Sequence, residues 1–142
     1  MTRDEIDARN IPHALALAIP DTAAGRWVWP ANRSDGQSTA AAAIPEGTHL
    51  RLDPAVDVDS LGLPPVTRAM ALAAQRYGIV VRDRAGAVAF YAEDTSALGA
   101  LPDWGGLTPA QLLDGFPWSR LQVLDPRRAG CVKPHASRCA RP

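Results

Sequence analysis

The sequence predicts an α+β fold: a mainly antiparallel, sandwich-like sheet with one medium helix at about residues 65–77 and one short helix at about 109–114. Three observations lead there. Val66, Ala69, Met70, Ala73 and Tyr77 recur at helical spacing behind Pro64 and Pro65, and Gly78 follows as a natural stop. The next residues, 79–83 and 87–93, are two β-prone runs separated by a tight turn at Arg84-Ala-Gly86, which reads as a hairpin. Finally, Leu50 and Leu52 alternate with His49, Arg51 and Asp53, the period-two pattern of a half-exposed strand. Strands first, then helix, hairpin, helix and strand is the order expected of a largely antiparallel sheet with helices on one side or end.

The remaining elements follow in chain order. Residues 1–9 are charged and suit one helical turn or a ragged start. In the segment 11–20, His13, Leu15, Leu17 and Ile19 fall on one face of a strand and Ala14, Ala16 and Ala18 on the other. Both faces are apolar, which predicts a central strand, and Pro12 and Pro20 leave little room for a helix. Arg26-Trp-Val-Trp-Pro30 reads as a short aromatic strand ended by Pro30, and 31–46 as a long polar loop. Thr108, Pro109 and Gln111 supply N-cap, N1 and capping-box residues for the short helix, which Gly115 ends. Residues 118–124 offer a last strand. The domain therefore spans 1–124, and 125–142 reads as an extended or disordered tail.

Fifteen basic residues offset fifteen acidic ones, so the chain has no electrostatic footprint for nucleic acid or an anionic membrane. No apolar run approaches the roughly 20 residues of a spanning helix, and the charged start lacks the apolar core of a secretion signal. By itself that start is compatible with a cytoplasmic protein or with a missing upstream leader. Cys131, His135 and Cys139 do not complete a four-ligand zinc site, so no metal and no cofactor are expected. A disulfide between the two cysteines is left open.

No phosphate-cradling glycine loop, nucleophile elbow, HExxH or CxxC pattern occurs. The weak catalytic candidates are His13, Asp53 and Glu93. His13, on a predicted buried strand, is more simply a hydrogen-bonded core histidine, although a buried imidazole can hold a tuned pKa. Glu93 and Asp94 point to opposite faces of a strand, so an acid–base pair needs a carboxylate from elsewhere, such as Asp53 or Asp83. Trp27 and Trp29, with Arg33 and Asp35 after them, form an aromatic, guanidinium and carboxylate group of the kind that holds a sugar. Core packing beside a polar turn is the plainer alternative, and the row His49, Arg51 and Asp53 is most simply a solvated strand face.

Several phrases carry a resemblance: Ile11-Pro-His-Ala-Leu15, Trp29-Pro-Ala-Asn-Arg-Ser-Asp-Gly36, Ile44-Pro-Glu-Gly-Thr48, Leu50-Arg-Leu-Asp-Pro54, Ala74-Gln-Arg-Tyr-Gly-Ile-Val-Val-Arg-Asp83 and Leu113-Asp-Gly-Phe-Pro-Trp118. Across most of residues 5–124 the chain resembles the C-terminal half of an uncharacterised family of exported or surface β-rich proteins from actinobacteria and related bacteria. The resemblance implies a secreted or cell-surface setting, a longer β-rich parent whose N-terminal half is missing here, and no assignable catalytic residues. The expectation is a non-catalytic structural or interaction domain of a bacterial surface protein. The alternative is a polysaccharide-binding or polysaccharide-cleaving protein that uses the Trp27, Trp29, Arg33 and Asp35 face.

Overall fold

In the computed structural model, which describes residues 1–124, each helix forms where local signals place it. Helix α1 (Arg3–Asp7) opens on a capping box in which Thr2 and Glu5 exchange bonds between side chain and backbone. Helix α2 (Pro65–Arg76) starts on proline and buries Val66, Thr67, Ala69, Met70, Ala71, Ala73 and Ala74. Gly78 follows it with φ +88, and its N–H donates to the Ala73 carbonyl, which ends the helix where the sequence predicts. Helix α3 (Pro109–Asp114) carries the expected capping box of Thr108 and Gln111. One-turn 3-10 helices cover Val58–Leu61, Ser96–Leu98 and Trp118–Arg120.

The strands are β1 (Leu15–Ile19), β2 (Thr22–Trp27), β3 (Ile44–Glu46), β4 (His49–Leu52), β5 (Ile79–Arg84), β6 (Ala89–Phe90) and β7 (Leu121–Val123). Five of them form one sheet in the order β6-β1-β5-β4-β7, and β2 and β3 form a separate parallel pair. The fold is α+β with a mostly antiparallel sheet. β1 pairs antiparallel with β6, matching Leu17 to Phe90 and Ala18 to Ala89, and β4 pairs antiparallel with β5, matching His49 to Val80. The expected hairpin does not form. β5 has both edges occupied, by β1 and β4, so the chain returning from the turn has no free edge there and pairs with β1 instead. β1 is likewise an interior strand, and its Leu15, Leu17 and Ala18 are all buried.

Chain contacts divide into two compact, interleaved units. The first comprises Met1–Leu15, Arg51–Gly78 and Tyr91–Gln122. Its core is built from Ile6, Ile11, Val56, Val58, Val66, Met70, Leu112 and Phe116. Within it, the Thr67 hydroxyl donates to the Leu112 carbonyl at 2.9 Å and fastens α2 to α3. The second comprises Ala16–Leu50, Ile79–Phe90 and, among the described residues, Val123 and Leu124. It buries Leu17, Ala18, Ala23, Val28, Ala43, Leu50, Ile79 and Val81. Cys131, His135, Cys139 and the rest of the expected tail lie outside the described residues.

Two further expectations are corrected. His13 is not in the sheet: β1 starts at Leu15, and the imidazole is exposed. The aromatic strand runs from Thr22 to Trp27, so Trp29 lies in the turn beyond it, ahead of a cis Trp29–Pro30 bond. Trp27 and Trp29 therefore do not share a strand face.

Candidate functional site

The second unit contains a polar depression of about 270 Å3 lined by Pro30, Ala31, Asn32, Arg33, Asp35, Glu46, Arg82 and Asp83. Its floor is set by how closely the loop after β2 lies against that strand. The Ser34 hydroxyl donates to the Ala23 carbonyl at 3.0 Å, Ser38 N–H donates to the Thr22 carbonyl at 3.0 Å, and Ala24 N–H donates to the Ser38 carbonyl at 2.8 Å. Gly36 makes the approach possible, because a Cβ there would sit 2.4 Å from the Ala23 carbonyl oxygen and 2.7 Å from that of Thr22. On the other side Gly47, at φ +85, lets its N–H donate to the Val81 carbonyl at 2.7 Å; a side chain would meet the Val28 carbonyl oxygen at 1.7 Å. Those close approaches let the Asp35 backbone reach the Glu46 carboxyl.

Glu46 is the unusual member. It is only 4% exposed. Its Oε1 accepts from the Asp35 backbone N–H at 3.1 Å and lies 3.4 Å from Ser34 Oγ. Burial pushes the Glu46 carboxyl above the ordinary glutamate range, and its contact with the Asp35 carboxyl pushes the same way. Asp35 moves in the opposite direction. It is held below the ordinary aspartate range first by the hydrogen bond with Glu46, then by contacts with the Asp83 side chain and the Arg84 backbone. Arg33 and Arg82 bring the balancing positive charge to the rim.

Of the four residues expected to hold a ligand, Arg33 and Asp35 line this depression, and Trp29 is adjacent in sequence to its Pro30 wall. Trp29 is 58% exposed, so its ring is not core packing. Trp27 is half-buried on β2, with its indole N–H buried and without a partner among the described residues, and does not line the pocket. Glu46, Arg82 and Asp83 complete the lining. No local pattern marks Glu46, because its partners are 11 and 12 residues back along the chain.

The weak catalytic candidates all lie in the first unit, each tied to partners of its own. His13 Nδ1 faces the Ala14 carbonyl at 2.8 Å and Nε2 faces Glu5 Oε2 at 3.0 Å. Two acceptors raise the His13 pKa above the ordinary histidine value, the Ala14 carbonyl most and the Glu5 carboxylate next. Asp53 accepts from Ala55 N–H at 2.9 Å and pairs with Arg120 at 3.2 Å, which hold its carboxyl below the usual range. Glu93 accepts from Arg3 N–H at 2.9 Å. The row His49, Arg51 and Asp53 is half-buried, not solvated, and among the described residues His49 Nε2 and Arg51 Nε are buried without a partner.

Among the described residues no group of three or more His, Cys, Asp or Glu side chains could hold a metal ion, and no helix is long and apolar enough to cross a membrane. Comparison of the chain with protein-family models, with curated proteins and with solved structures returned no match.

Proposed function

We propose that this chain is a non-catalytic interaction module that binds one residue of a polysaccharide in the Arg33, Asp35 and Glu46 pocket. The observation that carries the reading is the convergence of two guanidinium and three carboxyl side chains in one concavity. Planar guanidiniums with several donors and carboxyls with two acceptor oxygens bond pairs of adjacent hydroxyls, and an exposed aromatic ring supplies a stacking face. Trp29 is the ring available, two residues before a pocket wall at Ala31. A volume near 270 Å3 lies at the small end of ligand pockets, which run about 300–1,000 Å3, and suits a single sugar unit better than a long glycan.

Binding is favoured over cleavage by the burial of Glu46. Glycoside hydrolysis places its carboxyl pair about 5–9.5 Å apart so that a glycosidic bond or a water fits between them. Glu46 is instead buried, with its Oε1 already taken by the Asp35 backbone N–H, so it offers no free carboxyl for such a pair. Resemblance to exported actinobacterial proteins supports a cell-surface setting, where such a ligand is abundant. Titrating a panel of cell-wall and plant glycans while following tryptophan fluorescence and calorimetric heat tests the reading. Saturable binding that Arg33→Ala weakens is expected; a flat response to every glycan eliminates it.

A further inference from the structure

We infer that the first unit carries a ligand site of its own, a depression in which the Arg76 guanidinium takes the carboxylate of a small acid whose apolar body lies on Ile11 and Leu72. It is independent of the saccharide reading, because every residue that lines it belongs to the first unit.

Hydrogen bonds fix the frame of the depression. Helix α1 ends in a turn in which the Arg9 N–H donates to the Ile6 carbonyl at 3.1 Å and the Asn10 N–H to the Glu5 carbonyl at 3.0 Å. Arg9 sits there at φ +55, a left-handed position that favours glycine. Its side chain gives the reason for the exception. Nη1 donates to the Ile6 and Asp103 carbonyls at 2.6 Å each, and Nη2 meets the Asp103 carboxylate at 2.6 Å. Residues 9–11 are thereby held in one conformation, which lowers the ordering cost of binding. In the last turn of α2, Gln75 Nε2 donates to the Asp53 carbonyl at 3.0 Å and to the Val56 carbonyl at 2.9 Å, tying the helix end to the chain after β4.

Those bonds decide which lining groups remain for a ligand. The charge of Arg9 is answered by Asp103, and the amide hydrogens of Gln75 by two carbonyls. Arg76 differs: among the described residues it meets no carboxylate, and its guanidinium lies over the Tyr77 ring, 5.2 Å from the centroid. An arginine in the last turn of a helix is favoured by the dipole alone. This one also lines a concavity together with Asn10, whose side-chain amide has no protein partner among the described residues. There the lining holds two guanidiniums and no acid, so an anion suits it and a cation does not. A guanidinium lying over a ring keeps its N–H fork free, and that planar fork matches a carboxylate. Buried Ile11, Ala69 and Ala73 and half-buried Leu72 supply an apolar wall, which an inorganic anion would leave uncovered. The volume of about 270 Å3 has room for on the order of nine non-hydrogen atoms at about 30 Å3 each.

Backbone amide NMR of the full chain, titrated with hexanoate, hexanamide and inorganic phosphate, tests the site. Hexanoate should give saturable shifts at Asn10, Ile11, Leu72, Arg76 and Tyr77. It should bind about tenfold more tightly than hexanamide, the difference between a charge-assisted and a neutral set of hydrogen bonds. Phosphate has the charge without the tail and should also be weaker than hexanoate by about tenfold or more. Arg76→Gln, at an exposed position that leaves the fold intact, should weaken hexanoate about tenfold. Arg76→Lys keeps the charge but not the planar fork and should weaken it about threefold or more. Hexanamide binding as tightly as hexanoate overturns the carboxylate assignment, and phosphate doing so overturns the apolar body. Full affinity in Arg76→Lys overturns the fork. Shifts that Arg76→Gln leaves unchanged, shifts at other residues only, or no shift with any probe overturn the site itself. The glycan reading stands or falls separately, on shifts at Arg33, Asp35 and Glu46.

Discussion

Replacing Gly36 by alanine tests the packing that forms the pocket floor. The new Cβ would lie 2.4 Å from the Ala23 carbonyl oxygen, 2.7 Å from the Ala23 carbonyl carbon and 2.7 Å from the Thr22 carbonyl oxygen. All three are backbone atoms of β2, so no flexible side chain can move aside. To reach ordinary contact the loop must separate from the strand by about 1 Å, and overpacking of that sort costs about 1–3 kcal/mol. Separation also stretches the bonds from Ser34 Oγ to Ala23 and from Ser38 N–H to Thr22. Each contributes about 0.5–1.5 kcal/mol. A loss of about 2–4 kcal/mol is therefore expected, a large share of the 5–15 kcal/mol typical of a domain. Gly25→Ala is the control: its φ is +61 but no atom lies within 4 Å, so it bears only left-handed strain of about 1–2 kcal/mol. Urea unfolding of both variants, followed by circular dichroism with the slope m checked for constancy, measures the difference. If Gly36→Ala unfolds within about 0.5 kcal/mol of the parent, or at a higher midpoint than Gly25→Ala, the close-approach reasoning is wrong.

Three shorter predictions follow. Thr67→Val keeps the shape of a fully buried side chain but strips the Leu112 carbonyl of its donor, so a loss of about 1–3 kcal/mol is expected by urea unfolding; Thr67→Ser, which keeps the hydroxyl, should lose only about 0.8 kcal/mol. His13 has an acceptor at each ring nitrogen, and only the imidazolium can donate to both. Its folded pKa is raised, so its stabilising contribution is present below the unfolded value of about 6.5 and lost as pH rises through the folded value. With 44% of the side chain exposed, the contribution is below about 1 kcal/mol. NMR titration should show Glu5→Gln lowering the His13 pKa, and an unchanged value would rule out the ion pair. Trp29→Ala should alter stability by less than about 0.5 kcal/mol because the ring is already exposed. Glycan affinity should fall by about tenfold if the ring stacks on the sugar.

Helix ends and the identity of β4 and β5 were legible in the residues alone because each depends on neighbours within a few positions, whereas β3 at Ile44–Glu46 fell inside a segment expected to be loop. Pro65, Gly78, Thr108 and Gln111 act within one turn of the backbone they cap or terminate, and the alternation of Leu50 and Leu52 needs only a pleat. Thr2 and Glu5 carried the same kind of signal for α1, a capping box three residues apart in a segment read as one helical turn or a ragged start. Arg33 and Asp35 were identifiable as ligand candidates from residue type, but the pocket they form was not.

Tertiary structure decided what depends on competition between distant segments. A strand's identity is written in its side chains, but its partner is whichever free edge the packed sheet leaves, and β5 had none for the returning chain, so β6 joined β1. His13 shares the parity of Leu15 and Leu17, yet the capped α1 offers it Glu5 outside the sheet, and the chain enters β1 only at Leu15. Glu46 looks like any loop carboxylate until Gly36 and Gly47 let two backbones close on it and exclude water. Its environment is made by residues that reach it only through folding, and that burial decides whether the acid is charged.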